Sequence, residues 1–325
     1  MKIPVKIYAL LVWFVISILM VLAIAACNHT FVHLDENLTS EPSCHMIQHA
    51  AGETCIPHDP TRLITLSQLT LANAIALGVK PIGSASALNF ELNDFPTYVK
   101  GETKEIRLLG QQGNPNLEKI LQLKPDLILG WEPDRKIYPL LAQIAPAILG
   151  KWKGPPSWRE HFSFVAEALG KEEAAQQVWE HYYQRTKLLK AALGNQYEGK
   201  TISVISVSEG RGIIVSTKNS FEGSILNDVG LQRPQAQDVI APLGRFTVSE
   251  EKLEEADGDI LFVALFDSRG RKMLENLQKK PLWKTLKSVQ QNKVYLVEQL
   301  TWGGSNLLAA DAVIDDLYKY LVNTP

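Results

Sequence analysis

The 325 residues contain no Gly-x-Ser-x-Gly nucleophile elbow and no His-Glu-x-x-His zinc helix. An exported hydrolase therefore survives only as a competing class with a dispersed site. Charge of one sign is also missing: 33 basic and 35 acidic residues give a formal net charge of -2. No basic footprint is left to neutralise a phosphate backbone, so nucleic acid is not an expected partner. Cysteine is limited to three residues, Cys27, Cys44 and Cys55. What is present is globular: 46% hydrophobic and 21% charged residues exclude a disordered, collagenous or coiled-coil chain and leave one or two domains.

The charge is unevenly placed. Residues 1–26 carry Lys2 and Lys6, no acid, and an apolar run over 7–26 that ends in Ala25-Ala26 just before Cys27. That is export-signal architecture. The run is long enough to cross a bilayer, so an uncleaved anchor competes with cleavage. Ile24-Ala25-Ala26-Cys27 resembles the bacterial lipobox, which implies a signal peptide over 1–26, acylation of Cys27, and a polar tether over 27–43. The chain is then exported and lipid-anchored at the bacterial cell envelope, in the periplasm or on the outer face of the cytoplasmic membrane. An enzyme of cytosolic metabolism is not expected. In an oxidising compartment Cys44 and Cys55 are expected to pair, with a turn near Ala51-Gly52 folding the segment between them into a hairpin. The alternative is a metal site with His45 and His49, against which the adjacent Cys44 and His45 would point to opposite faces of a strand.

From residue 62 short apolar strands alternate with helical segments. Strands are expected over 62–66, 80–83, 126–130 and 147–149, with helices over 69–77, 116–123 and 137–144 between them. Residues 158–193 show almost no strand signal and end in a long helix over 172–193. Strands resume at 201–205, 212–215, 259–265 and 293–297, with helices over 221–229 and 309–321. The alternation predicts α/β architecture: two doubly wound parallel-sheet lobes, 44–157 and 196–325, joined by one long linker helix within 158–195. An offset of 133 residues superimposes Glu118, Lys119, Ile120 and Asp126 on Glu251, Lys252, Leu253 and Asp259. Glutamate in a first helical turn and aspartate before a strand are each common, so the match has a generic reading. Its functional reading is one carboxylate per lobe on a common surface, suited to a two-fold symmetric partner.

Gly52-Glu53-Thr54 with Ile56-Pro57, Ala76-Leu77-Gly78-Val79-Lys80-Pro81-Ile82-Gly83, Asn116-Leu117-Glu118-Lys119-Ile120 with Leu123-Lys124-Pro125-Asp126, Pro281-Leu282-Trp283 and Lys293-Val294-Tyr295 follow one another in the chain. Together they resemble the iron-siderophore and vitamin B12 family of ABC-transporter substrate-binding proteins. The resemblance spans about residues 44–321. It implies two lobes with a ligand cleft between them, no catalysis, no cofactor, and a monomer that hands an iron(III)-siderophore to a membrane permease driven by its ATPase. By motif match the docking glutamates fall on Glu118 and Glu251, with Glu250 competing for the second place. Cobalamin or haem is the alternative ligand, and only His161 and Tyr138 offer haem an axial group.

In open α/β sheets ligands sit beyond the carboxyl ends of the strands. The loops there supply Gln112, Trp131, Trp152, Arg211, Arg245, Arg269 and Trp302 as candidate ligand-binding residues. Guanidinium forks donate to chelate oxygens and indoles pack on the organic periphery, while no residue is expected to touch the iron directly. Gln112 stands where some hydroxamate binders carry an arginine.

Overall fold

A computed structural model describes residues 44–86, 94–99, 101–208, 210–265 and 268–323. The leader, the tether and the lipidation expected at Cys27 lie outside these residues. No helix among the described residues is long and apolar enough to cross a membrane.

The described chain opens with an antiparallel hairpin, β1 (Cys44–His49) and β2 (Gly52–Pro57). The turn lies at Ala50-Ala51, and Gly52 takes a φ of 137° that a side chain would strain. A Cys44–Cys55 disulfide crosses the two strands with a Cα–Cα distance of 5.5 Å, so neither sulfur is available to the alternative metal site.

The first sheet has six strands: β3 (Leu63–Thr65), β4 (Gly83–Ser86), β5 (Arg107–Gln111), β6 (Asn114–Pro115), β7 (Leu127–Trp131) and β8 (Ala147–Gly150), in the order β6-β5-β4-β3-β7-β8. All pairs are parallel except β5 with the edge strand β6. Crossover helices such as Gln68–Ala76, capped by Ser67, join them.

The second sheet has five strands: β9 (Ile202–Ser208), β10 (Gly212–Ser216), β11 (Arg245–Val248), β12 (Ile260–Leu265) and β13 (Val294–Glu298), in the order β11-β10-β9-β12-β13. Here the parallel expectation needs correction. β9, β12 and β13 are parallel, but β10 runs antiparallel to both β9 and β11. The reason is chain length: residues 209–211 are too few for a parallel crossover, which takes a dozen or more, and Gly210 and Gly212 supply the positive φ of a tight turn.

Between the sheets the helix Trp158–Leu169 stops at left-handed Gly170, and the helix Glu172–Leu193 follows. The closing helix Leu307–Leu317, capped by Asn306, packs against Glu172–Leu193, Gln68–Ala76 and Phe221–Asp228. One apolar core therefore runs through both lobes. It joins Leu63, Leu127 and Ile148 from the first sheet to Ile202, Val204 and Phe262 from the second, through Ala310, Val313 and Ile314. Each such buried aliphatic side chain contributes roughly 2 kcal/mol, so wide separation of the lobes would expose a continuous surface at high cost.

The offset of 133 residues has a physical basis. Asp126 accepts from the backbone N–H and hydroxyl of Thr61 at 2.9 and 3.0 Å, just before β3. Asp259 accepts from the same two groups of Thr201 at 2.9 and 3.1 Å, just before β9. Each lobe thus ties the entry of its first strand to the start of the neighbouring parallel strand with a Thr–Asp pair. The short strands β6 and β11 each lead into a helical turn, Leu117–Gln122 and the 3-10 turn Glu250–Ala256.

Candidate functional site

On β9 the alternation of a strand sends Ile202 and Val204 into the shared core and brings Ser206 and Ser208 out on the same face where the core ends. Ile214 and Ser216 of β10 lie beside them, and with Ser220, Glu222, Leu243, Gln299 and Pro155 they line a cavity of about 130 Å³. Arg211 and Arg245 both line it and both are exposed. Arg211 sits in the β9–β10 turn, where its N–H donates to Ser208 O at 3.1 Å. Arg245 opens β11 opposite Ser216. Two guanidinium groups over hydroxyl-rich walls make an anion-receiving surface.

Trp131, at the end of β7, and Trp152, after β8, are half-buried and pack with ring centroids 5.2 Å apart. The Trp131 backbone N–H donates to Asp134 Oδ2 at 3.3 Å, and the Trp152 backbone N–H donates to Glu132 Oε2 at 3.1 Å. Burial pushes the Asp134 carboxyl up to about 7, opposed by that Trp131 N–H. Oδ1 of Asp134 and Nε1 of Trp131 are buried without a hydrogen-bond partner.

The other candidates fall elsewhere. Trp302, expected in the cleft, is 1% exposed, stacks on Phe262 at 4.5 Å and donates to Asp316 Oδ2 at 2.8 Å, which makes it a core residue. Gln112 is buried at the end of β5, with its N–H donated to Ser86 O at 2.8 Å. Arg269, on the helix Ser268–Gln278, is exposed and does not line the arginine cavity. A larger cavity of about 540 Å³ is bordered by Glu298, Asp315 and Asp316 with Arg271 alone as counter-charge, a balance that repels an anionic ligand. The two groups considered for haem are engaged in packing. His161 is 1% exposed, burial pushes it down to about 4, and its Nε2 lies 3.3 Å from Thr70 Oγ1. The Tyr138 hydroxyl lies 3.2 Å from Thr54 Oγ1.

Glu118 and Glu251 are exposed, each at the second position of its helical turn. Glu250 pairs with Lys280 at 3.0 Å, whereas a hydrogen bond from the Ser249 hydroxyl holds the Glu251 carboxyl below the usual range. Sequence reasoning missed Ser206, Ser216, Ser220, Glu222 and Gln299. The only signal was the pair Ser206 and Ser208, alternating around Val207 at the end of β9.

Two α/β lobes on a shared core, with an arginine-lined cavity at the strand ends, define a bilobal binding protein. The chain belongs to the periplasmic binding protein family, whose sequence model matches residues 67–300. It is 29% identical over 321 residues to a protein named as a probable siderophore-binding lipoprotein of Bacillus subtilis, covering 95% of this chain and 97% of that one. It is also 30% identical over 260 residues to an iron-uptake system-binding protein of the same organism, covering 78% of this chain and 79% of that one. In structure it is similar to Staphylococcus aureus SirA complexed with staphyloferrin B, at 27% identity and a TM-score of 0.74 over 85% of this chain and 98% of that one. The triscatecholate siderophore binding protein FeuA from Bacillus subtilis, complexed with ferri-bacillibactin, matches with a TM-score of 0.70 at 25% identity over 86% of this chain and 99% of that one. The protein is accordingly a substrate-binding protein of a transporter and not an enzyme.

Proposed function

We propose that the protein captures an iron(III)-siderophore complex outside the cytoplasmic membrane and delivers it to an ABC permease with its ATPase. The observation that carries this reading is the cavity on β9 and β10, where Arg211 and Arg245 stand over Ser206, Ser208 and Ser216. Ferric chelates are commonly anionic and bristle with oxygen acceptors, and charge-assisted N–H donors are the groups that hold them in water. The Trp131–Trp152 pair offers apolar area for the organic periphery. Relatives with siderophore and iron uptake in their names, one of them a lipoprotein, support the same ligand class and an exported place in the cell envelope.

The remaining parts of the proposal rest on the chain itself. The lobes comprise 44–157 and 196–325, with 158–195 linking them, and the protein acts as a monomer. Glu118 and Glu251 are the permease contacts, preferred over Glu250 because Lys280 already occupies that carboxylate. Cys27 carries the lipid, so Cys27→Ser is expected to release the protein from membranes, and retention there points to an uncleaved anchor.

The ligand test uses protein lacking residues 1–26. Saturable quenching of tryptophan fluorescence is expected with at least one of ferric citrate, a ferric trihydroxamate and a ferric triscatecholate. Silence across that panel, with saturation by cobalamin or haem instead, overturns the reading.

A further inference from the structure

A cavity for a purely anionic chelate has no use for a buried carboxyl, yet Glu222 lines this one beside Arg211 and Arg245. Glu222 is 9% exposed, in the first turn of the helix Phe221–Asp228, which Ser220 caps. It accepts a hydrogen bond from the Ser216 hydroxyl. The helix N-terminus makes a carboxylate there tolerable. That alone accounts for a structural glutamate, but not for its neighbour across the cavity. Gln299, which follows β13, lines the same cavity, and its Oε1 is buried without a hydrogen-bond partner. A buried acceptor left unpaired is costly, and a ligand donor would recover that cost.

Arg233 does not consume the Glu222 charge. Its Nη2 donates to Ser216 O and Gln237 Oε1, and the ion pairs found among the described residues do not join it to Glu222. At 8% exposure it supplies a positive background behind Ser216. Burial pushes Glu222 up and Arg233 down to about 10, and their mutual attraction opposes both shifts.

We propose that Glu222 and Gln299 Oε1 form an acceptor subsite at the floor of the β9–β10 cavity, which takes a hydrogen-bond donor carried by the chelate, best of all a protonated amine. Arg211 and Arg245 then hold the chelate oxygens, and Glu222 sets which pendant group is admitted. The ligand class is a ferric chelate with a free amine, amide or hydroxyl arm, and a chelate that presents a carboxylate to that floor is rejected. This rests on the reading of the cavity as a ferric-chelate site.

The test compares two probes with one chelating core: ferrioxamine B, with a pendant ammonium, and its N-succinyl derivative, with a pendant carboxylate. Ferric citrate is the control. By tryptophan quenching the unaltered protein is expected to favour the ammonium probe by about tenfold or more. Glu222→Gln should bring the ratio towards one by weakening the ammonium probe and strengthening the carboxylate probe. A variant that weakens both probes equally, or keeps the original ratio, overturns the proposal. Binding of ferric citrate without either ferrioxamine overturns the acceptor subsite and leaves the chelate reading standing. No binding of any of the three overturns both.

Discussion

In the first lobe β3 is followed by the helix Gln68–Ala76 and a parallel strand, whereas in the second β9 doubles back through residues 209–211 into antiparallel β10. Elsewhere the lobes match: Thr61 with Asp126 and Thr201 with Asp259 fix the strand entries, and a glutamate occupies the second position of the turn after each short edge strand. The outer frame is thus built twice, and the cleft side is where the lobes part. Replacing a crossover helix with a tight hairpin puts Arg211 at the mouth of the second lobe, while the first lobe ends β7 in Trp131 beside Trp152. The repeated frame fits the docking role proposed for Glu118 and Glu251, and the unlike strand ends fit the proposal of one unsymmetrical ligand held between them.

The largest effect should come from breaking the repeated frame at its surface. Glu118→Ala and Glu251→Ala together are expected to abolish ligand uptake by cells while leaving affinity in solution unchanged, because both side chains are exposed and neither lines the cavity. Glu250→Ala should leave uptake near normal, since Lys280 holds that group. Weakened binding in solution would show the glutamates are misassigned, and an effect from Glu250 in place of Glu251 would break the equivalence of the lobes.

Next in size is the difference between the cleft faces. Arg211→Ala with Arg245→Ala removes two charge-assisted donors, each worth about 1.5–3 kcal/mol, so affinity for a ferric chelate should fall by roughly a hundredfold or more. Trp131→Ala or Trp152→Ala should cost about tenfold each, the scale of one aromatic contact. Thermal melting should separate the two faces further. The exposed arginines leave it unmoved, whereas loss of either packed indole lowers it. Equal losses of affinity from all four substitutions would mean that the faces do not differ in chemistry.

Both lobes, the linker helix and the turns that carry Glu118 and Glu251 were legible because periodicity and caps are local. Glu172–Leu193 follows from helical spacing, and the Asn116 cap from a side chain three residues before the amide it accepts from. The antiparallel β9–β10 pair was legible too, had loop length been weighed against a crossover. The cavity was not. Trp302 was expected at the ligand because a tryptophan before Gly303-Gly304 looks like a loop residue, but Phe262, some forty residues away, decides that its ring packs inward. Glu222 reads in sequence as an ordinary first-turn glutamate. Only the approach of β13 and Gln299 from the far end of the chain turns it into a cavity wall.

The sharpest comparison concerns stability, not affinity, and sets two buried carboxyls side by side: Asp134 next to Trp131 and Glu222 beside the arginines. Burial raises both: at Glu222 the Ser216 hydroxyl and the Arg233 guanidinium are among the groups that oppose it, whereas at Asp134 the Trp131 backbone N–H alone does, and the carboxyl rises from 3.8 to about 7. Between pH 4 and pH 7 the folded chain therefore holds a proton on Asp134 that the unfolded chain releases. Stability from this group is greatest below pH 4, declines as pH rises through that window, and is lost above pH 7, a change of a few kcal/mol. Asp134→Asn keeps the acceptor for the Trp131 N–H and cannot ionise. In denaturant unfolding its stability relative to the unaltered protein should rise between pH 4 and pH 7 and then level off. His161, which destabilises the fold as pH falls from 6.5 towards 4, is common to both proteins and cancels in the difference. A difference that stays flat across that range would mean Asp134 is ionised in the folded protein.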